Sequence, residues 1–211
     1  MITTPEFKKQ IAKPFGAQMR KYGYKGTGLE YRRDIGNFLT SIYIEPSQWG
    51  GKCTVGFAIH PKAITKNYNG QLNLEKLKIY DFEFKMSLIE SSQELWWNYS
   101  EDEFTNLATL NDIIVSIERK CFPVFEQFLE KPTILDTFKL SEMADFHENW
   151  TKKTGVSIAM TDSQFAWAMI LYFENKNPAK AKQFAKWLIS LFDSNDYGWY
   201  SEDILRVLTK N

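Results

Sequence analysis

Residues 80–88 read YDFEFKMSL, which alternates apolar and polar side chains without an exception. A period of two is typical of a β-strand, because successive side chains point to opposite faces. The apolar side chains Tyr80, Phe82, Phe84, Met86 and Leu88 are therefore predicted to face a core. The polar side chains Asp81, Glu83, Lys85 and Ser87 are predicted to face away from it.

Three earlier stretches, residues 29–35, 38–44 and 53–59, show the same alternation. Strands with one apolar and one polar face are characteristic of antiparallel sheets, in which one face packs on a core. Tight turns are predicted at residues 34–37 and 48–51, each of which contains glycine and a polar residue. These patterns predict an antiparallel sheet of about four strands.

Helical patterns flank the predicted sheet. Thr4 and Pro5 indicate a helix start, and apolar residues then recur at helical spacing through Tyr22, with Pro14 predicted to kink the helix. A long central helix is predicted over residues 103–128, opened by a capping box of Ser100 and Glu103 and interrupted at Pro123. From about residue 141 the pattern is only helical.

The fold class that follows is α+β. It has an antiparallel sheet of about four strands, packed on one face by the kinked N-terminal helix and the long central helix, and then an all-helical C-terminal region. The predicted division is residues 1–140 for the sheet domain and residues 141–211 for a helical cap packed on it.

Composition argues against a general nucleic-acid or membrane partner, because Lys and Arg total 26, as do Asp and Glu, and no positive excess remains. Cys53 and Cys121 fall on predicted apolar faces, so both are expected to be buried, reduced thiols. The N-terminus has no apolar run typical of a signal peptide, and residues 165–173 are too few to span a bilayer. We predict a cytoplasmic protein.

Four motifs carry a family resemblance. They are the "Lys-Pro … Gly-Tyr-Lys" helix end at residues 13–25, the arginine-bearing strand at residues 29–33, the strand at residues 53–59, and the Pro-Phe helix at residues 121–128. Over roughly residues 5–140 the chain resembles the bacterial domain-of-unknown-function family numbered 4304. The resemblance implies the α+β fold, and it implies neither an established activity nor catalytic residues.

The two histidines are the candidate catalytic residues. Asp145 and Glu148 are three residues apart and share one helix face, but His147 between them points elsewhere and no second metal ligand is near in sequence. His60 ends the third strand, on the face opposite the core. A solvated or hydrogen-bonded polar side chain is the simpler interpretation of both, and no metal site is predicted.

Binding candidates come from the outward sheet face and from the tryptophans. Arg32 and Tyr43 are expected on that face, where an arginine and an aromatic ring can bind a peptide or small ligand, although an ordinary solvated face is the alternative. Trp96 and Trp97 cannot both enter one core if their segment is extended, so one of them, or Trp49 in its turn, is expected to mark a contact surface.

The sequence is compatible with two functional hypotheses. The first is a non-enzymatic protein-interaction module whose partner is another protein. The alternative is a small-ligand-binding or hydrolase-like enzyme that uses His147 with Asp145 and Glu148, or His60 near Arg32. No cofactor is predicted, nucleic acid and membrane are disfavoured as partners, and the sequence leaves the oligomeric state open.

Overall fold

The structure of the protein is a computed structural model that describes residues 2–67, 70–192 and 198–210. The described strands are β1 (Lys25–Thr27), β2 (Glu30–Ile35), β3 (Phe38–Pro46), β4 (Lys52–Pro61), β5 (Lys66–Asn67), β6 (Gly70–Gln71), β7 (Phe84–Ser87), β8 (Ile89–Glu90), β9 (Gln93–Glu94), β10 (Trp96–Asn98) and β11 (Ser157–Ile158).

The main sheet has the order β1-β2-β3-β4-β7-β11, and β10 pairs with the first residues of β4. Every neighbouring pair is antiparallel, as predicted. In the β4–β7 pair Phe57 lies opposite Met86 and Ile59 opposite Phe84. The inward side chains of the two strands therefore share one face.

The described helices are α1 (Thr4–Lys21), α2 (Glu103–Ser116), α3 (Phe122–Leu129), α4 (Ile134–Thr137), α5 (Phe146–Thr154), α6 (Asp162–Phe173), α7 (Pro178–Ile189) and α8 (Ser201–Thr209). A π-helical turn over Ile117–Cys121 joins α2 to α3. Pro123 has no N–H to donate into a regular helix, so this turn is the break that the sequence predicts near Pro123.

Both predicted helix starts are displaced. The first helix is capped by Thr3, whose hydroxyl accepts from Glu6 N, and not by Thr4. The second is capped by Asp102, whose carboxylate accepts from Thr105 N at 2.8 Å, and not by Ser100. A residue one or two positions away supplies the better-placed oxygen in each case. Helix α1 continues through Pro14 without interruption, and the kink there stays a prediction.

The core lies on the face of the sheet that was predicted to be apolar. Helix α1 contacts it through Phe15, whose ring packs edge-on against Tyr31 with centroids 5.4 Å apart. Helix α3 contacts it through Phe125, whose ring packs edge-on against Phe57 at 5.5 Å. The N-terminal and central helices therefore cover one face of the sheet, as the sequence predicts.

The C-terminal region joins the same core. Residues 165–173 of α6 are buried on all sides, as their continuous apolar pattern predicts. The region is not all helical, however, because β11 extends the sheet: Ile158 lies opposite Met86 and Ser157 opposite Ser87. A two-residue strand gives no period-two signal, which is why the sequence does not reveal it. The division at residue 140 stays a prediction.

The opposite face of the sheet is covered as well, contrary to the expectation of a solvated face. The described parts of the connection between β4 and β7 fold across it and form a second apolar cluster there. Its buried members are Leu39, Ala58, Leu77 and Phe82, with Leu72, Leu74 and Ile79 packed at the margin. His60, which the sequence places on this face, is buried under the layer and is not solvated.

The fourth strand is shorter than residues 80–88 predict. Regular pairing begins only at Phe84, because residues 79–81 form a 3₁₀ turn and the chain bends at Glu83. Phe84, Met86 and Leu88 enter the main core as predicted. Phe82 instead enters the opposite cluster, and Tyr80 is exposed.

Cys53 and Cys121 are free and buried, as predicted. Burial raises the pKa of the Cys53 thiol to about 12 and that of Cys121 well above its usual range. Thiols of this kind are poor nucleophiles, since the thiolate is the reactive form.

We expect titration of the denatured protein without reductant to find two thiols per chain, whereas the native protein should react slowly. The measurement is the reaction with a chromogenic disulfide reagent before and after adding denaturant. A denatured protein with no titratable thiol would contradict the free state of the two cysteines.

Among the described residues, no helix combines the length and the apolar character needed to cross a membrane.

Candidate functional site

His147 and its neighbouring carboxylates do not converge. His147 and Glu148 begin α5 on its exposed side, and Asp145 precedes the helix. The Glu148 carboxylate pairs with Lys152 Nζ at 2.6 Å, which lowers the pKa of Glu148. The side chain of Glu148 thus turns along the helix surface, an arrangement typical of a solvated face.

His60 is buried in the layer that covers the sheet. Its Nδ1 accepts a hydrogen bond from Glu83 N at 3.3 Å, so Nε2 carries the proton and donates to Ile64 O at 2.8 Å. Burial lowers the pKa of His60. The imidazole therefore holds two backbone segments together as a neutral ring.

Arg32 and Tyr43 are both engaged with the protein itself. The Arg32 guanidinium donates to the carbonyl oxygens of Leu77 and Glu75, and so fastens the covering connection to β2. Tyr43 lies across Gly56 on the neighbouring strand, where an added Cβ would come within 2.1 Å of the ring. Their roles as ligand-binding residues stay predictions.

Trp96 and Trp97 face opposite sides of β10, as adjacent residues of an extended segment must. Trp97 is half-buried and packs against the main core. Trp96 is 36% exposed, and the Lys52 ammonium lies 4.5 Å from its ring centroid. Lys52 begins β4, whose first residues pair with β10.

Trp49 lies in the turn between β3 and β4, at the same end of the sheet as β10, and is 85% exposed. The turn is held by hydrogen bonds from Gly50 N to Ser47 O at 3.0 Å and from Trp49 N to Ser47 Oγ at 3.2 Å. Gly50 and Gly51 have φ of +74° and +73°, which other residues rarely adopt. We call Trp49, Lys52 and Trp96 the tryptophan edge.

A groove of about 840 Å³ lies where the β2–β3 turn and the end of β4 meet α3 and α6. Phe38, Leu129 and Tyr172 are among its apolar walls, and Lys62, Lys131 and Lys176 among its cations. Two of these cations are already paired, Lys62 with Asp34 at 2.6 Å and Lys176 with Asp136 at 2.7 Å. This pairing reduces the attraction for an anionic ligand.

A smaller pocket of about 220 Å³ lies beside the bend at Glu83. We call it the Glu83 pocket, and its principal lining residues are Tyr80, Asp81, Glu83, Lys85, Trp167 and Trp199. Burial raises the pKa of the Glu83 carboxyl to about 7, against the opposing effect of Lys85. Perturbed carboxyl groups of this kind concentrate at functional sites.

The described residues contain no group of three His, Cys, Asp or Glu side chains that could hold a metal ion. The candidate sites are therefore surfaces and pockets formed by aromatic rings and single charges.

Comparisons with known proteins identify a family and no activity. Searches of curated proteins and of solved structures return no match to this chain. The model of the family described as "Domain of unknown function (DUF4304)" matches residues 15–127, which run from within α1 to within α3. This match covers more than half of the chain, and the protein therefore belongs to the DUF4304 family.

Proposed function

We propose that this protein is a non-enzymatic, cytoplasmic interaction module that binds another protein through the tryptophan edge. The observation that carries the proposal is the exposure of the Trp49 indole, 85%, on a turn whose backbone is fixed by hydrogen bonds. A large apolar ring that is kept in water by a rigid turn contributes nothing to the core.

Rigid presentation favours binding, because association costs less free energy when the contact residue is already ordered. Tryptophan is also among the residues that most often dominate interface energy when they become buried. Trp96 and Lys52 supply a second ring and a positive charge next to Trp49 along the same end of the sheet. The edge thus combines an apolar centre with a polar margin, which is the usual anatomy of an interface.

A protein fits this edge better than a nucleic acid or a membrane surface does. The chain has equal numbers of acidic and basic residues, so it lacks the general positive field that attracts phosphate. Apolar burial is insensitive to salt at moderate concentrations, whereas exposed charge pairs are screened. Two free, buried thiols support a reducing compartment for this interaction.

We expect Trp49→Ala to weaken partner binding at least about tenfold, because the substitution removes the central apolar contact. The partner is first found by placing a photo-crosslinking amino acid at position 49 in cells, with position 205 as the control. Leu205 is an exposed apolar residue on α8 that is not part of the edge. Affinity for the crosslinked protein is then measured for wild type, Trp49→Ala and Leu205→Ala.

The proposal holds if one protein crosslinks from position 49 alone and loses affinity only with Trp49→Ala. Equal crosslinking from both positions, or equal affinity of the two variants, would refute it. An affinity that collapses between low and moderate salt would also refute it, because that result indicates a charge-driven contact.

A further inference from the structure

We propose that the Glu83 pocket binds a small organic ammonium ion, with the Glu83 carboxylate as its counter-charge and aromatic rings as its walls. This inference is independent of the tryptophan edge, since the two sites share no residue. It assigns a ligand class to a part of the protein that the proposed interaction does not use.

The carboxylate reaches the pocket because the backbone is turned there. Phe82 is anchored in the cluster on one face of the sheet and Phe84 in the core on the other, so the chain bends between them. His60 fixes this bend by accepting from Glu83 N at 3.3 Å. The side chain between the two phenylalanines is thereby directed into the pocket and not onto a strand face.

Among the described residues, Glu83 has no direct ion-pair partner, and Lys85 attracts its charge only through space. No ion pair or hydrogen bond reaches its carboxylate from a described residue, and the nearby Lys85 Nζ donates instead to Tyr80 O at 3.0 Å. Asp81, also on the wall, accepts from Lys78 N at 3.2 Å. With Glu83 ionised, the lining carries two negative charges and one positive charge, which favours a cation.

The walls have the chemistry that organic cations prefer. The rings of Tyr80, Trp167 and Trp199 line the pocket, and the face of an aromatic ring attracts ammonium groups. The ring of Tyr80 already has the Lys78 ammonium 5.7 Å from its centroid, so the two indoles are the rings offered to a ligand. Trp167 is buried and held in place by donating from Nε1 to Asp203 Oδ2 at 2.8 Å. Tyr80 and Trp199 are each 59% exposed, so a ligand can approach between them.

The size of the pocket narrows the ligand class. About 220 Å³ is below the usual range for drug-sized ligands, so the pocket accommodates one head group and excludes a nucleotide or folded segment. A primary or methylated ammonium on a short alkyl chain fits this limit. The same chemistry is offered by a free amine and by a lysine side chain of a peptide.

The test is an NMR titration of the full chain with n-butylammonium chloride and with tetramethylammonium chloride, at constant ionic strength. The indole N–H signals of Trp167 and Trp199 should shift saturably, whereas the signal of Trp49 should stay in place. Glu83→Gln should weaken the affinity at least about tenfold by removing the counter-charge. Glu90→Gln, which alters an exposed carboxylate outside the pocket, should leave the affinity unchanged.

A second variant and a change of pH give two further tests of ammonium binding in the Glu83 pocket. Trp199→Ala removes a ring that is 59% exposed and should also weaken binding. Affinity should fall from about pH 8 to about pH 5.5 as Glu83 takes up a proton. The other ionisable groups around it are Tyr80, Asp81, Lys85 and His60, with the Lys78 ammonium over the Tyr80 ring. The Gln variant separates their effects from that of Glu83.

A parallel titration with Nα-acetyl-lysine amide distinguishes the two sources of the ammonium group. Binding of this probe as tight as that of n-butylammonium assigns the pocket to lysine side chains, and weaker binding assigns it to free amines. The inference is overturned if no amine gives a saturable shift at Trp167, or if Glu83→Gln binds as tightly as wild type.

Discussion

Phe84→Ala is expected to lower the free energy of unfolding by about 3–5 kcal/mol, because a fully buried ring leaves a cavity when it is removed. Phe84 has no exposed surface, and its ring lies 5.7 Å from that of Phe128 and 5.9 Å from that of Phe165. It also stacks parallel to Trp150 at 6.4 Å. The residue thus joins the sheet to the central helix and to the C-terminal helices at one point.

The measurement is equilibrium unfolding in urea, with Phe104→Ala as the matched control. Phe104 is 81% exposed at the start of α2, so the same change in side chain there should alter stability by less than about 0.5 kcal/mol. Phe57→Ala, which removes another fully buried ring from the same core, should resemble Phe84→Ala. Equal unfolding midpoints for Phe84→Ala and Phe104→Ala would show that the face of β7 has been assigned wrongly.

The alternation in residues 80–88 predicts the face of Phe84 and Met86 correctly and fails at Phe82. A period of two assigns faces only while the backbone stays extended. The backbone is not extended at the Glu83 bend or in the 3₁₀ turn before it. Phe82, before the bend, therefore packs in one cluster, and Phe84, after it, packs in the other. Because both clusters accept apolar side chains, the sequence pattern looks the same in either case.

The covered sheet face shows a second limit of the sequence. Leu72, Leu74 and Leu77 occur in a connection rich in polar residues, and their spacing matches neither strand nor helix. The fold places them over Leu39 and Ala58. Which face a long connection covers depends on tertiary packing, so local patterns do not predict it.

The two candidate sites also differ in how far the sequence predicts them. The sequence predicts that Trp96 and Trp97 do not both enter one core, because they are adjacent on a strand, but it does not predict which of them is exposed. The Glu83 pocket brings together residues that are distant in sequence, and Trp167 lies within a helix that is apolar on all sides. Its only local signal is a carboxylate between two phenylalanines, which the strand interpretation explains equally well.

Glu83→Gln is expected to raise the free energy of unfolding more at neutral and higher pH than at low pH, by a difference of about 1–3 kcal/mol. Burial raises the pKa of the folded-state carboxyl from about 4.5 to about 7. Between these values the folded protein retains a proton that the unfolded chain has lost, so wild-type stability falls as the pH rises through this window. Glutamine does not titrate and keeps a neutral polar group in the same place.

The measurement is the unfolding free energy of wild type and Glu83→Gln from about pH 4.5 to about pH 8, taken as a difference at each pH. The difference is needed because His60 acts in the opposite direction: its lowered pKa makes the fold less stable as the pH falls below about 6.5. Both proteins contain His60, so its contribution cancels. Glu90→Gln, at an exposed carboxylate, is the control and should show no such trend. A difference that does not change with pH would mean that the Glu83 carboxylate is well solvated. Water would then screen its attraction for a cation, which would argue against its proposed role in the Glu83 pocket.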